Sequence, residues 1–131
     1  MFYGMLSSEG LTDPLILNTF KPIKVVIDYQ PESNTSTYWH RYLLQFQDSE
    51  IESTTQKLTT LMKPDWYSIF WDNEIVYVVF SNKVFKLNKE ENWTSQEYQE
   101  VKQYGIEHDI QEHYMDFNDR FAHYKQLLES H

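Results

Sequence analysis

The chain has no cysteine. Disulfides, thiol nucleophiles, cysteinyl zinc sites and iron–sulfur clusters are thereby excluded, and the composition fits a reducing cytosol. Glycine is scarce as well, with three among 131 residues. None stands in a GxGxxG or GxxxxGK(S/T) arrangement, so a backbone cradle for nucleotide phosphates has no support. No segment approaches the roughly 20 apolar residues needed to span a bilayer. The opening MFYGMLSSEGLTD also lacks the basic start and apolar stretch of an export signal. A soluble, cytoplasmic protein without membrane contact is expected. Basic side chains are outnumbered, eleven against twenty acidic ones, for a formal charge of −9. A field of that sign repels phosphate backbones, and no locally basic face is visible, so direct nucleic-acid binding is not expected. The acidic surface fits either simple solubility or imitation of DNA in a basic groove.

What the chain does have is aromatic bulk: 17 % of its residues are Phe, Trp or Tyr. Its length and its 40 % apolar content suit one domain over residues 1–131 with a core of its own, centred on about 13–117. The stretch Lys63–Leu87, KPDWYSIFWDNEIVYVVFSNKVFKL, concentrates seven aromatic rings.

Asp13-Pro14 has the N-cap and first-turn chemistry of a short helix, closed by Pro22. KVVIDY, Lys24 to Tyr29, reads as a strand, QPESNTST as a turn, and Tyr38 to Phe46 as a second strand. On that strand Tyr42, Leu44 and Phe46 share one face, and Trp39, Arg41, Leu43 and Gln45 the other. Ser49 and Glu52 have capping-box spacing ahead of a helix stopped by Lys63-Pro64. Three strands follow, Trp66–Trp71, Ile75–Phe80 and Lys83–Leu87, with turns at Asp72-Asn73 and Ser81-Asn82. Thr94 to Glu97 repeats the capping box and opens a helix to Tyr104, with Gly105 as its left-handed terminator. Beyond it, Ile110, Tyr114, Phe117, Phe121, Tyr124 and Leu128 recur at helical steps, which predicts one long helix over about 107–129. The expected fold is α+β: an antiparallel sheet of about five strands, two or three helices packed on it, and a C-terminal helix closing one side.

Both faces of Ile75–Phe80 are apolar, so this strand needs cover from helices, from a partner or from a second copy. Aromatic packing within the sheet accounts for most of the rings. Trp39, His40, Tyr67 and Trp71 are the candidates for a binding surface or for a pocket between sheet and helices. His40 is either a base or a buried, hydrogen-bonded imidazole. On one continuous helix, Glu112, Asp116, Asp119 and His123 would share a stripe and offer ligands to a divalent ion. One helix does not surround a metal, and a solvated polar face explains the same stripe, so neither a metal nor a cofactor is assigned. No G-x-S-x-G elbow or other catalytic spacing identifies a reaction, and no catalytic residue is named.

Lys63, Pro64, Trp66, Tyr67, Phe70, Trp71, Val78, Val79, Phe80, Lys83, Val84, Phe85, Tyr104, Gly105 and Ile106 form the pattern KPxWYxxFW…VVFxxKVF…YGI. In this the chain resembles a group of small bacterial α+β proteins, over about residues 23–117. The resemblance carries no activity, substrate or site with it. The chain departs from the pattern by continuing past Met115-Asp116-Phe117. The leading expectation is a non-enzymatic binding or protein-interaction module, acting on a protein partner or as a homodimer. The alternatives are a small-ligand protein or enzyme with a pocket between sheet and helices, and an acidic DNA-mimic inhibitor.

Overall fold

The computed structural model describes residues 1–129. It is an α+β fold in which a six-stranded, fully antiparallel sheet carries helices on both faces. The strands are β1 (Phe2–Ser7), β2 (Lys24–Tyr29), β3 (Tyr38–Phe46), β4 (Ser68–Trp71), β5 (Ile75–Phe80) and β6 (Lys83–Asn88), in the order β2-β3-β1-β4-β5-β6. The helices are α1 (Ile51–Thr59), α2 (Gln96–Glu107) and α3 (Phe117–Glu129), with 3-10 turns at Ser8–Gly10, Pro14–Thr19 and Glu112–Met115.

The additional strand is β1, which lies between β3 and β4 at the centre of the sheet. Its Gly4 leaves room for the Phe70 ring of the neighbouring strand against its backbone. A β-carbon there would stand 2.4 Å from two ring atoms of Phe70 on β4. Residues 68 to 88 form the expected meander. Its second turn is held by Asn82 at φ 63°, a conformation asparagine tolerates better than most residues. At the first turn the Asp72 carboxylate accepts the amides of Glu74 and Ile75, both at 2.7 Å.

One face of the sheet, with Leu6, Leu44, Phe46, Phe70 and Val79, packs under α1 and the first two 3-10 turns. The other face, with Trp39, Ile69, Trp71, Val76, Val78 and Phe80, lies under α2, the Glu112–Met115 turn and α3. Val76, Val78, Tyr77, Val79 and Phe80 are all buried. The chain itself therefore supplies cover on both sides of β5.

Several local readings need correction. α1 starts at Ile51 with Glu50 as its N-cap, so the Ser49–Glu52 box does not form; the Glu50 carboxylate instead accepts the Gln47 amide at 3.0 Å. In α2 the cap is Ser95, whose hydroxyl accepts the Tyr98 amide at 3.1 Å, and not Thr94. Gly105 lies inside α2 with an ordinary negative φ and terminates nothing. The feature peculiar to Gly105 is space, because a β-carbon there would come within 2.5 Å of the Met115 sulfur. The long C-terminal helix is broken: Asp109 takes φ 67°, Glu112–Met115 is a 3-10 turn, and a new helix starts at Phe117. That break tucks Tyr114 and Met115 beneath the helices, and Tyr98 secures it by donating its hydroxyl to the Met115 carbonyl.

Candidate functional site

The edge strand β2 is built against its own sequence pattern. In KVVIDY the alternation places Val25, Ile27 and Tyr29 on one face, and Lys24, Val26 and Asp28 on the other. The apolar set is the one that alternation would bury. In the fold, Val25 is 49 % exposed, Ile27 66 % and Tyr29 60 %, while Asp28 is only 4 % exposed. The polar face is the one that meets α3.

Asp28 is tolerated in the interior because its oxygens are well used. Oδ2 accepts from His123 Nε2 of α3 at 2.9 Å and from Arg41 Nε of β3 at 3.2 Å, and Oδ1 accepts from Gln30 Nε2 at 3.1 Å. A carboxylate only accepts, so His123 carries its proton on Nε2 in this contact. Burial alone would raise the Asp28 carboxyl. The His123 hydrogen bond, the charges of Arg41 and His123 and the Gln30 hydrogen bond together hold it below its usual range. Lys24 is engaged on the same face, donating from Nζ to the Leu127 carbonyl at 2.7 Å. These contacts fasten the end of α3 to the outer strand.

Beside this cluster lies a small cavity of about 40 Å³, lined among others by Trp39, Arg41, Trp66, Tyr67, Tyr114 and Tyr124. Arg41 is 6 % exposed, and its guanidinium lies over the rings of Trp39 at 4.6 Å and Tyr124 at 5.4 Å. Tyr67 donates its hydroxyl to the Tyr114 carbonyl, and burial pushes that hydroxyl well above its ordinary pKa, so it remains a donor. The volume suits a few water molecules. It is far below the roughly 300–1,000 Å³ of sites that enclose small ligands.

The candidate residues separate accordingly. Trp39 and Tyr67 meet at this cavity. Trp71 lies farther along the sheet, stacked on Tyr124 at 6.0 Å and edge-on to Phe121 at 5.4 Å. His40 is on the opposite face, with Nδ1 2.6 Å from Glu9 Oε2 and its amide donating to Glu9 Oε1 at 2.7 Å. The carboxylate orients a half-exposed imidazole there. Glu112 pairs with Lys102 at 3.6 Å, Asp119 with Arg120 at 2.6 Å and His123 with Asp28, while Asp116 ends the 3-10 turn. Because the helix is broken, these four do not form one stripe. Among the described residues no three His, Asp or Glu side chains converge as metal ligands.

The β2 surface and the Asp28–Arg41–His123 cluster were not anticipated from the sequence. The only signal was the alternation in KVVIDY, and it indicates the wrong face. The exposed apolar set continues through Ile23 and Tyr38, and the Tyr38 ring lies 5.3 Å from that of Tyr29. Backbone polarity adds to it. The Gln30 amide donates to the Thr37 carbonyl of the neighbouring chain segment at 2.7 Å. By alternation Asp28 and Val26 also turn their backbone groups toward β3, and Val25, Ile27 and Tyr29 turn theirs outward. Among the described residues no strand pairs with that side. The opposite edge, β6, carries exposed Lys83 and Lys86, the usual guard against strand addition. Between residues 25 and 29, β2 carries no lysine, and its one charged residue, Asp28, points inward.

No helix among the described residues is long and apolar enough to cross a membrane. No family model, curated protein or solved structure matches the chain.

Proposed function

We propose that the protein is a non-enzymatic interaction module whose binding surface is the open edge and apolar face of β2. One observation carries the reading: this strand exposes Val25, Ile27 and Tyr29 and buries Asp28. The burial of Asp28 is offset by its hydrogen bonds to Arg41, His123 and Gln30, whereas the apolar side is left in water unless it is covered in use. The outward-facing amides and carbonyls of the same three residues offer directional bonding to an added strand, and the side chains offer pockets and contacts that select it. The small size of the cavity beside Arg41 weighs against a small ligand at that position.

Site-specific photocrosslinking in living cells tests this. A photoreactive phenylalanine analogue replaces Tyr29 in one variant, Tyr38 in a second, and the distant Tyr104 in a control. Discrete adducts at positions 29 and 38, absent at 104, are the expected result. Equal labelling at all three positions, or none at 29 and 38, removes the interaction reading.

A further inference from the structure

We infer that the partner at this edge is a second copy of the same chain, joined by antiparallel β2–β2 pairing about a two-fold axis through Ile27. The inference rests on reading the β2 edge as an interaction surface, and it names the occupant.

The outward backbone set is Val25, Ile27 and Tyr29, symmetric about its middle member. When two such strands run antiparallel with Ile27 opposite Ile27, Val25 of each copy faces Tyr29 of the other. Every outward amide then meets an outward carbonyl, so three donors on each copy find three acceptors on its mate. The side chains fit the same register. All three lie on one face, and the axis generates an Ile–Ile pair flanked by two Val–Tyr pairs, the β-branched and aromatic combination that stabilises antiparallel sheets. A two-fold interface must be complementary to itself, and this edge is.

The surroundings limit other occupants. Pro22 and Pro31 bracket the strand, so the open edge is short and centred on Ile27. The charged side chains of β2 lie on the far face, Lys24 bonded to the Leu127 carbonyl and Asp28 to Arg41 and His123. No charge is therefore brought opposite its own copy at the seam. The pairing joins two six-stranded sheets into one continuous sheet whose outer edges are the lysine-bearing β6 strands.

The absence of cysteine allows a direct test. In the proposed register the two Ile27 residues form a hydrogen-bonded pair with Cα atoms about 5.5 Å apart, and their β-carbons lie beyond the roughly 3.5–4.5 Å of a relaxed disulfide. Ile27→Cys is therefore expected to give a covalent dimer with a short bifunctional thiol crosslinker. Val25→Cys alone is not, because its own copy lies four residues away, roughly 14 Å at about 3.4 Å per residue. Val25→Cys mixed with Tyr29→Cys is expected to give the heterodimer. The positions are exposed, so folding is not at stake, and circular dichroism checks it. Light scattering with size-exclusion chromatography is expected to show twice the chain mass for wild type, and the single chain mass for Ile27→Lys.

A wild-type dimer with the cysteine pattern above supports the proposal. A dimer in which Ile27→Cys fails to link, or which survives Ile27→Lys, overturns it in favour of another face. A monomer at every concentration overturns it too. In that case a photocrosslinked adduct at Tyr29 to a different protein would leave the edge reading standing, and no adduct would remove both.

Discussion

Asp28, on the edge strand β2, and His123, on the last helix, are 95 residues apart in sequence and 2.9 Å apart in the fold. Their hydrogen bond turns the polar side of β2 inward and leaves its apolar side facing out.

Asp28→Asn tests the energetic side of that relationship. Breaking a buried pair by removing one partner leaves Arg41 buried without its counter-charge, and costs about 3–5 kcal/mol. The folded-state pKa of Asp28 is depressed, so its stabilisation is present above the unfolded value near 3.8 and is lost as pH falls through the folded value. Chemical denaturation should show a large gap between wild type and variant at pH 7, closing as the pH is lowered below about 4. A gap independent of pH would show that the charge of Asp28 is not what stabilises this contact.

Trp71 is a core residue covered by Phe121 and Tyr124 of α3, and not part of the open surface. Trp71→Ala should lower stability by about 3–5 kcal/mol. It should leave association unchanged at temperatures where the variant is folded. Loss of association in a folded Trp71→Ala protein would place the interaction surface on the α3 side of the sheet.

Gly4→Ala is expected to destabilise by about 1–3 kcal/mol, because the new methyl meets the Phe70 ring, which neighbouring strands hold in place. Phe70→Leu in the same background should recover part of the Gly4→Ala loss, since the two effects share one contact. Strict additivity in thermal unfolding would argue against that contact as the cause.

Two chains of formal charge −9 repel each other at a distance. If copies pair through an uncharged β2 edge, salt screens the repulsion and leaves the seam intact. The dimer should therefore tighten between about 50 and 500 mM sodium chloride in sedimentation velocity, over a range where the Debye length falls from above 10 Å to below 8 Å. Weakening with salt would indicate that charge pairs hold the interface.

The strands Lys24–Tyr29, Tyr38–Phe46 and Ile75–Phe80 were legible in the sequence to the residue, because β-branched and aromatic runs bounded by turn chemistry carry that information locally. β1 was not. FYGMLS contains a glycine and a methionine and no β-branched residue, and it is a strand because β3 and β4 pair with it from both sides. In the C-terminal region Ile110, Tyr114, Phe117 and Tyr124 are buried as their spacing indicates while Leu128 is exposed, and the helix is not continuous, since the left-handed Asp109 breaks it so that Tyr114 and Met115 reach the core. Of the candidate site, Trp39 and Tyr67 could be nominated from their chemistry, whereas their meeting beside Arg41 depended on how the sheet and helices pack.

By itself, then, the sequence determined the α+β class, the meander, most strand limits and the exclusion of thiol and cysteinyl-metal chemistry. These follow from residue types and from periods of two and 3.6, which act over a few neighbours. The tertiary structure alone decided which face of each strand is inside. For β2 that choice is made by Arg41 on the neighbouring strand and His123 at the far end of the chain, whose hydrogen bonds offset the burial of Asp28 and leave Val25, Ile27 and Tyr29 exposed.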